Sequence, residues 1–323
     1  MVYHGSKEDG GQGDGKNVAW DVQFSGATAS SYSEGLDVQT GEASHDVEQK
    51  AVLNWGMYRS VFHLSDLEIA GAQRNIGQPD ALRGIVTERF DGGITKMLDL
   101  IEQDLFTGTG AGTGPDGQAS SSIVGLDTAL AASGTYATID PGTYTEWVGV
   151  SSAHGGIDRA LSLDLLGVTE QALFTSCGME PDLIVTTPGI YTKYEGLFNA
   201  TVRTVGDGTK PMAAYLGSNG RLNWRSDAIV RARKATSGRI YLLNTSEMEL
   251  KVLPQSMAPM GFEVTTRTAI DSNGQTQETA RLPFTVKPIA RLGDSIRYMV
   301  TIYLALKVGR RNAHAIIADV SET

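Results

Sequence analysis

Seven apolar residues, Val86, Phe90, Ile94, Met97, Leu98, Ile101 and Leu105, recur every three or four positions between Pro79 and Phe106. A period near 3.6 held over that span predicts one long helix with a single apolar face. Pro79 followed by Asp80 suits its first turn, where a missing N–H is harmless and a negative charge meets the positive end of the helix dipole. Gly92 and Gly93 interrupt the middle, each costing about 1 kcal/mol relative to alanine. Two readings of the pair stand: close packing against another backbone, or a built-in bend point, since glycine pairs are among the known causes of helix kinks.

Gly108, Gly110, Gly112 and Gly114 follow the helix. Their spacing matches neither the dinucleotide fingerprint nor a P-loop, no GK[ST] follows, and they come after a helix instead of between strand and helix. They read as a flexible linker to the apolar segment IVGLDTAL. A central α/β region spans 143–236, with a helix expected from Gly156 to Cys177, Ile157, Leu161, Leu165, Val168 and Leu173 near one face, and Gly178 as its cap. PDLIVTT (Pro181–Thr187) reads as a buried strand and PGIYTKYEGLF as a short helix. Residues 237–323 read as a separate β-rich layer packed on the long helix, with RIYLL, MELKVL, FEVTTRTA and AHAIIADV as strands. In YMVTIYLALKV the apolar Val300, Ile302, Leu304, Leu306 and Val308 alternate with period two, the mark of a strand with one buried face.

Ahead of the helix, residues 1–17 are rich in Gly, Asp, Lys and Gln and read as an arm without a core. Residues 18–66 read as a long ribbon: AWDVQF goes out, a polar tip lies around Ser25 to Gly41, and VLNWGMYRSVFHLS returns. Its acids are Asp21, Glu34, Asp37, Glu42, Asp46, Glu48 and Asp66 against Lys50 and Arg59. A ribbon so acidic and extended has little core of its own and is expected to lean on a neighbouring molecule.

Charge and chemistry exclude several classes. The net charge is -10, the wrong sign for gripping phosphates. No apolar run approaches the ~20 residues that cross a bilayer, and the first residues lack the apolar stretch of a secretory signal, so no membrane role is expected. The one cysteine, Cys177, permits no intrachain disulfide and reads as a buried structural thiol. His4, His45, His63, His154 and His314 form no sequence-local metal cluster. No GxSxG elbow occurs. Glu102 and Asp104 point apart on a helix and read as a solvated face, and Asp207 beside Gly208 is the other acidic position considered. No catalytic, cofactor-binding or metal-ligating residue is assigned, and no cofactor is expected.

The order of these pieces resembles the tailed-phage major capsid protein family. LIEQDLFTGTG at 100–110, IVGL at 123–126, MEPDLIVTTPGIYTKYEGL at 179–197, and the closing SIRYMVTIYLAL and NAHAIIADV carry the resemblance, which extends over some 280 residues. It implies an α+β chain in the Hong Kong 97-like capsid fold: an N-terminal arm (1–17), an extended β-ribbon loop (18–66), a peripheral domain in two parts (67–142, with the spine helix 79–106, and 237–323), and a central axial α/β domain (143–236). It implies a homo-oligomer of pentamers and hexamers forming an icosahedral virion shell in the host bacterial cytoplasm, enclosing double-stranded DNA without specific binding. A separate scaffolding protein, a portal and decoration proteins are the implied partners. The Gly206–Gly220 stretch would be one of the polar loops suited to nearly equivalent contacts in both rings.

The family's spine helix straightens as a precursor shell expands, so the resemblance favours the bend at Gly92 and Gly93. Some members weld subunits through a Lys–Asn bond promoted by a Glu. Here the Asn position is Tyr298, the Glu falls at about Ala305, and the ribbon tip has no Lys, so that cross-link is not expected. About 18 residues precede the ribbon, so an N-terminal scaffolding segment is expected to have been removed or to be encoded separately. The alternatives weighed are an encapsulin-like compartment on the same fold, an enzyme with a scattered active site, and an adhesin or tail component. An enzyme would show clustered perturbed acids or histidines, an adhesin β repeats, and neither pattern is visible.

Overall fold

The computed structural model describes residues 3–4, 17–25, 47–74, 81–113, 119–202, 223–224, 227–253, 262–264, 269–270, 276–277, 284–289 and 293–322. The chain begins with β1 (Tyr3–His4), β2 (Asn17–Ser25), β3 (Val47–Asn54) and β4 (Gly56–Ser65), then α1 (Asp66–Arg74) and α2 (Ala81–Thr107). A small hairpin of β5 (Gly112–Thr113) and β6 (Ala119–Ser120) and the single turn α3 (Leu126–Ala129) lead to β7 (Val150–Ser152). Next come α4 (Leu163–Cys177), β8 (Leu183–Thr186), α5 (Pro188–Val202), β9 (Asn223–Trp224), β10 (Asp227–Arg231), β11 (Ile240–Leu243) and β12 (Met248–Val252). The last strands are β13 (Phe262–Val264), β14 (Ala269–Ile270), β15 (Thr276–Gln277), β16 (Phe284–Ile289), β17 (Ser295–Val308) and β18 (Ala315–Ile317).

Two sheets organise these elements. In the first, β17 is the central strand: β4 lines one edge from Gly56 opposite Leu304 to Ser65 opposite Ser295, while β16 and β12 follow one another along the other edge. From Val300 onward the even residues of β17 are buried as their period of two requires, Val300, Ile302, Leu304 and Val308 fully. They share a core with Tyr58 and Phe62 of β4 and with Ile94, Met97 and Ile101 of α2, so the apolar face of the long helix lies on this sheet.

The second sheet runs β7-β18-β11-β8-β10-β9, with β7, β18, β8 and β10 parallel and β11 antiparallel between β18 and β8. The crossovers through α4 and α5 step in the same direction across it, so the right-handed rule puts both helices on one face. Its strands are apolar on both sides. Ile184, Ile240, Leu242 and Ile317 join the helix-side core with Leu166, Leu173 and Ile190, while Val185, Tyr241, Leu243 and Ile316 belong to the core that contains Phe106 and the first sheet.

Several expectations are corrected. AHAIIADV and RIYLL do not belong to the β-rich layer: β18 and β11 are inner strands of the α/β sheet, which their unbroken burial at Ala315–Ile317 and Ile240–Leu243 reflects. Period two reveals a strand but not which sheet takes it. The returning half of the ribbon divides at Trp55, β3 pairing with β2 and β4 with β17. The base of the ribbon is covered by its own chain: Val18, Trp20, Val22 and Phe24 are buried, Phe24 stacking on Tyr144 with ring centroids 4.5 Å apart. The tip beyond Ser25 lies outside the described residues, as do most of the arm and Gly206–Gly220. The expected helix from Gly156 starts at Leu163 instead. Gly155 and Gly156 hold φ of 68° and 78°, and the Ser162 hydroxyl accepts from the Leu165 N–H as an N-cap. Its end is as expected, with Gly178 left-handed at φ 70° and donating to the Phe174 carbonyl. α1 was not foreseen; its nine residues show no apolar stripe long enough to declare a helix.

Gly108, Gly110 and Gly112, the described glycines after α2, are not a loose linker, and Gly114 lies outside the described residues. Gly108 accepts from the Gly125 N–H at 2.8 Å, and a methyl added at Gly108 would lie 2.1 Å from the Ile123 carbonyl oxygen. The backbone crossing there needs glycine.

Candidate functional site

Among the described residues no group of three or more His, Cys, Asp or Glu is placed to hold a metal ion, and no helix is long and apolar enough to cross a membrane. An open groove of about 690 Å³ lies between β4, the end of α2 and the β5–β6 hairpin, lined among others by Met57, Tyr58, Leu100, Asp104, Ser122 and Tyr303. Asp104, the one acid among its described lining residues, is engaged: the Tyr58 hydroxyl donates to it at 2.8 Å and accepts from the Ile123 N–H at 3.1 Å. Burial raises the pKa of both groups, opposed at Asp104 by the Tyr58 bond. Asp104 is therefore not the solvated residue expected beside Glu102, and its work is to tie the end of α2 to β4.

The remaining single residues fall where packing can use them. Cys177 is a buried free thiol whose pKa is raised by burial, its S–H directed at the Leu173 carbonyl at 3.3 Å. Gly92 and Gly93 sit inside an uninterrupted α2: nothing lies within 4 Å of a methyl added at Gly92, while one at Gly93 would meet the Ser60 hydroxyl at 2.8 Å. Tyr298 stacks on Phe62 with centroids 5.5 Å apart, and Ala305 is buried opposite Lys251. Asp207 and Gly208 lie outside the described residues.

What the sequence did not reveal is a buried polar junction between the sheets. Arg311 is wholly buried, with no carboxylate among the partners of its guanidinium. Nε donates to the Ala129 carbonyl at 2.7 Å, Nη1 to those of Trp147 and Gly134 at 2.9 and 3.3 Å, and Nη2 to that of Ala131 at 2.8 Å. Burial pushes its pKa down to about 10. Its plane sits over Tyr136, whose hydroxyl donates to the Leu306 carbonyl and accepts from the Val308 N–H. Nearby, Asp127 on α3 accepts from Thr236 and Tyr241, each at 2.6 Å, and pairs with Arg239. Consecutive arginines in GRRNAHAII, at the seam of two apolar strands, were the available signal. This junction fixes one sheet against the other; it offers no reacting group.

Exposed apolar side chains lie elsewhere. Met57 and Val61 on β4 are more than half exposed, as are Val168 and Phe174 on α4 and Ile157 before it. Large apolar side chains left in solvent on a single subunit mark surfaces suited to association.

Known proteins give the same direction. The structure is similar to the cyanophage A-1(L) capsid protein (TM-score 0.69, 17% identity, covering 94% of this chain and 88% of that one). It is also similar to the capsid protein of Myoviridae phage XM1 (TM-score 0.54, 14% identity, 97% and 88% covered) and to a chain of Mycobacterium phage Che8 (TM-score 0.51, 12% identity, 95% and 86% covered). At such identities the likeness establishes the fold, which is the Hong Kong 97-like capsid fold. No curated protein sequence matches. The model of the SU10 major capsid protein family matches residues 92–321. That span begins inside α2, takes in the sheet junction and runs through β18, and the chain belongs to the SU10 major capsid protein family.

Proposed function

We propose that this chain, a major capsid protein of the virion shell, assembles through rings of five and six copies into an icosahedral container for double-stranded DNA, and that it performs no catalysis. The observation that carries the reading is the family match over residues 92–321, on a chain whose described residues expose large apolar side chains at several places. The same match favours a phage shell over an encapsulin-like compartment. Net charge of -10 supports enclosure without binding, since an acidic wall lets a packaged polyanion slide. A separate scaffolding protein, a portal and decoration proteins belong to the same reading. So does a shell without Lys–Asn cross-links, given Tyr298 and Ala305 at the two positions; such a shell dissociates in denaturant. Electron microscopy with sedimentation of the purified chain, alone and with its scaffold, tests the proposal. Closed shells or rings are expected, and a stable 34.4 kDa monomer in the presence of scaffold would sink it.

The bend at Gly92 and Gly93 is part of the proposal. Alanine at Gly92 meets open space and adds about 1 kcal/mol of helix propensity, so in a helix that never bends Gly92→Ala is neutral or stabilising. The expected result for Gly92→Ala with Gly93→Ala is a subunit that folds and forms precursor shells but fails to expand them. Normal expansion, followed by the change in shell diameter, ends the hinge idea.

A further inference from the structure

The second sheet is charged differently at its two edges. Parallel strands β7, β18, β8 and β10 end on the same side, so the segments that follow them share one rim. At the β7 edge of that rim stand the exposed acids Asp158 and Asp164. The one arginine among them, Arg159, is turned inward, its guanidinium donating to the Ser152 and Ala318 carbonyls. At the β10 edge stand Arg231, stacked over Tyr191 at 4.9 Å, then Lys234, and Lys193 on α5, against Glu195. Arg233 beside them and Arg239 at the start of the inner strand β11 are taken up by Asp99 and Asp127.

Between the acids lies an apolar helix face. Glu170 of α4 is buried and accepts from the Trp224 indole N–H on β9 at 2.8 Å, which turns that side of the helix towards the β10 edge. Val168 stands about 200° around the helix from Glu170, hence on the side turned away from it. It is 57% exposed, in company with Ala172 and Thr175, and Asp164 is the only charged residue on the exposed part of α4. Ile157, 66% exposed, lies in the loop beside Asp158.

We infer that the Asp158, Asp164 and Val168 flank of one copy packs against the Lys193, Arg231 and Lys234 flank of the next, as the head-to-tail contact that closes the ring. This rests on the shell reading above and names the surfaces that it uses. The two patches differ, so the contact is heterologous, the kind that generates rings when its rotation closes. The opposite charges steer the copies and the uncharged helix face supplies burial.

Charge reversal tests it on the full chain. Asp158→Lys with Asp164→Lys makes both flanks basic; Arg231→Glu with Lys234→Glu makes both acidic. Each double variant is expected to keep the wild-type thermal unfolding profile while associating on the order of tenfold or more weakly at moderate salt. Mixed in equal amounts, they are expected to regain six-membered rings with alternating copies and no five-membered ones, because an odd ring forces two like flanks together. Wild-type assembly by either double variant overturns the inference, as does a mixture that stays dissociated. A wild-type chain that forms no rings, beside the same variants, overturns the shell reading first and this contact with it.

Discussion

Arg311→Met is expected to lower the stability of the folded subunit by about 3 to 5 kcal/mol. Methionine matches much of the volume, and removing a buried charge is in itself favourable, so the sign depends on what is left behind. What remains is fixed: the carbonyls of Ala129, Ala131, Gly134 and Trp147 belong to the backbone and cannot be substituted away with the donor. Each buried acceptor without a partner costs about 1 to 3 kcal/mol, which outweighs the relief of desolvation. Arg311→Lys is expected to fare little better, because one ammonium cannot reach four carbonyls held around a planar fork. Urea unfolding followed by tryptophan fluorescence, with variant and wild type in the same assembly state, reads the effect. A shift worth less than about 1 kcal/mol would show that the junction holds without its arginine.

The second large effect is one of pH. His314 is fully buried, its Nδ1 accepting from the Asn244 N–H at 3.1 Å, and burial drives its pKa down to about 4 from 6.5 despite the favourable field of Glu247 and Asp182. A proton on Nδ1 would face another N–H, so the native state holds the neutral ring. The unfolded chain takes up a proton as pH falls below 6.5, while the folded chain does not until about 4. Stability is therefore complete above pH 6.5 and declines towards pH 4, by about 3 kcal/mol in all. Asp319, held low by backbone N–H groups, and Glu322, where desolvation is outweighed by the Gly238 N–H and the Thr187 hydroxyl, lose stability in the same sense as pH falls and are common to variant and wild type. Asp104, raised by burial, acts in the opposite sense and is common to variant and wild type. His314→Gln, whose amide oxygen can still accept from Asn244, is expected to flatten the slope between pH 6.5 and 4.5. An unchanged slope would assign the acid sensitivity to carboxylates.

Much of the fold could be read before any coordinates. The stripe through Phe90, Ile94, Met97, Ile101 and Leu105 and the alternation from Val300 to Val308 are strong because each is long and each meets one kind of surface, a sheet for the helix and a helix for the strand. Reading failed where a short segment is buried on both sides. Ala315–Ile317 and Ile240–Leu243 carry no periodicity that names a sheet, and only long-range pairing decides. The Gly108 crossing failed for another reason: glycine spacing looks alike whether a loop is loose or another backbone passes within contact. The junction was hidden because the partners of Arg311 are carbonyls, which every residue possesses and no pattern marks. The proposed ring flanks are surface charges, legible as letters but placed at opposite edges only by the strand order.

The order of strands also bears on when a subunit becomes usable. β17 is the central strand of one sheet and β18 an inner strand of the other, with Arg311 between them. A ribosome that has released everything up to residue 294 has made the helices and most of the strands, yet both sheets still lack an inner member and β4 still lacks its partner β17. Contacts between residues so far apart in sequence form late in any case. The two halves of the subunit therefore mature together, once residues 295–317 are free to pair, and a chain that has not reached that point has no completed surface to offer a neighbour on the same messenger.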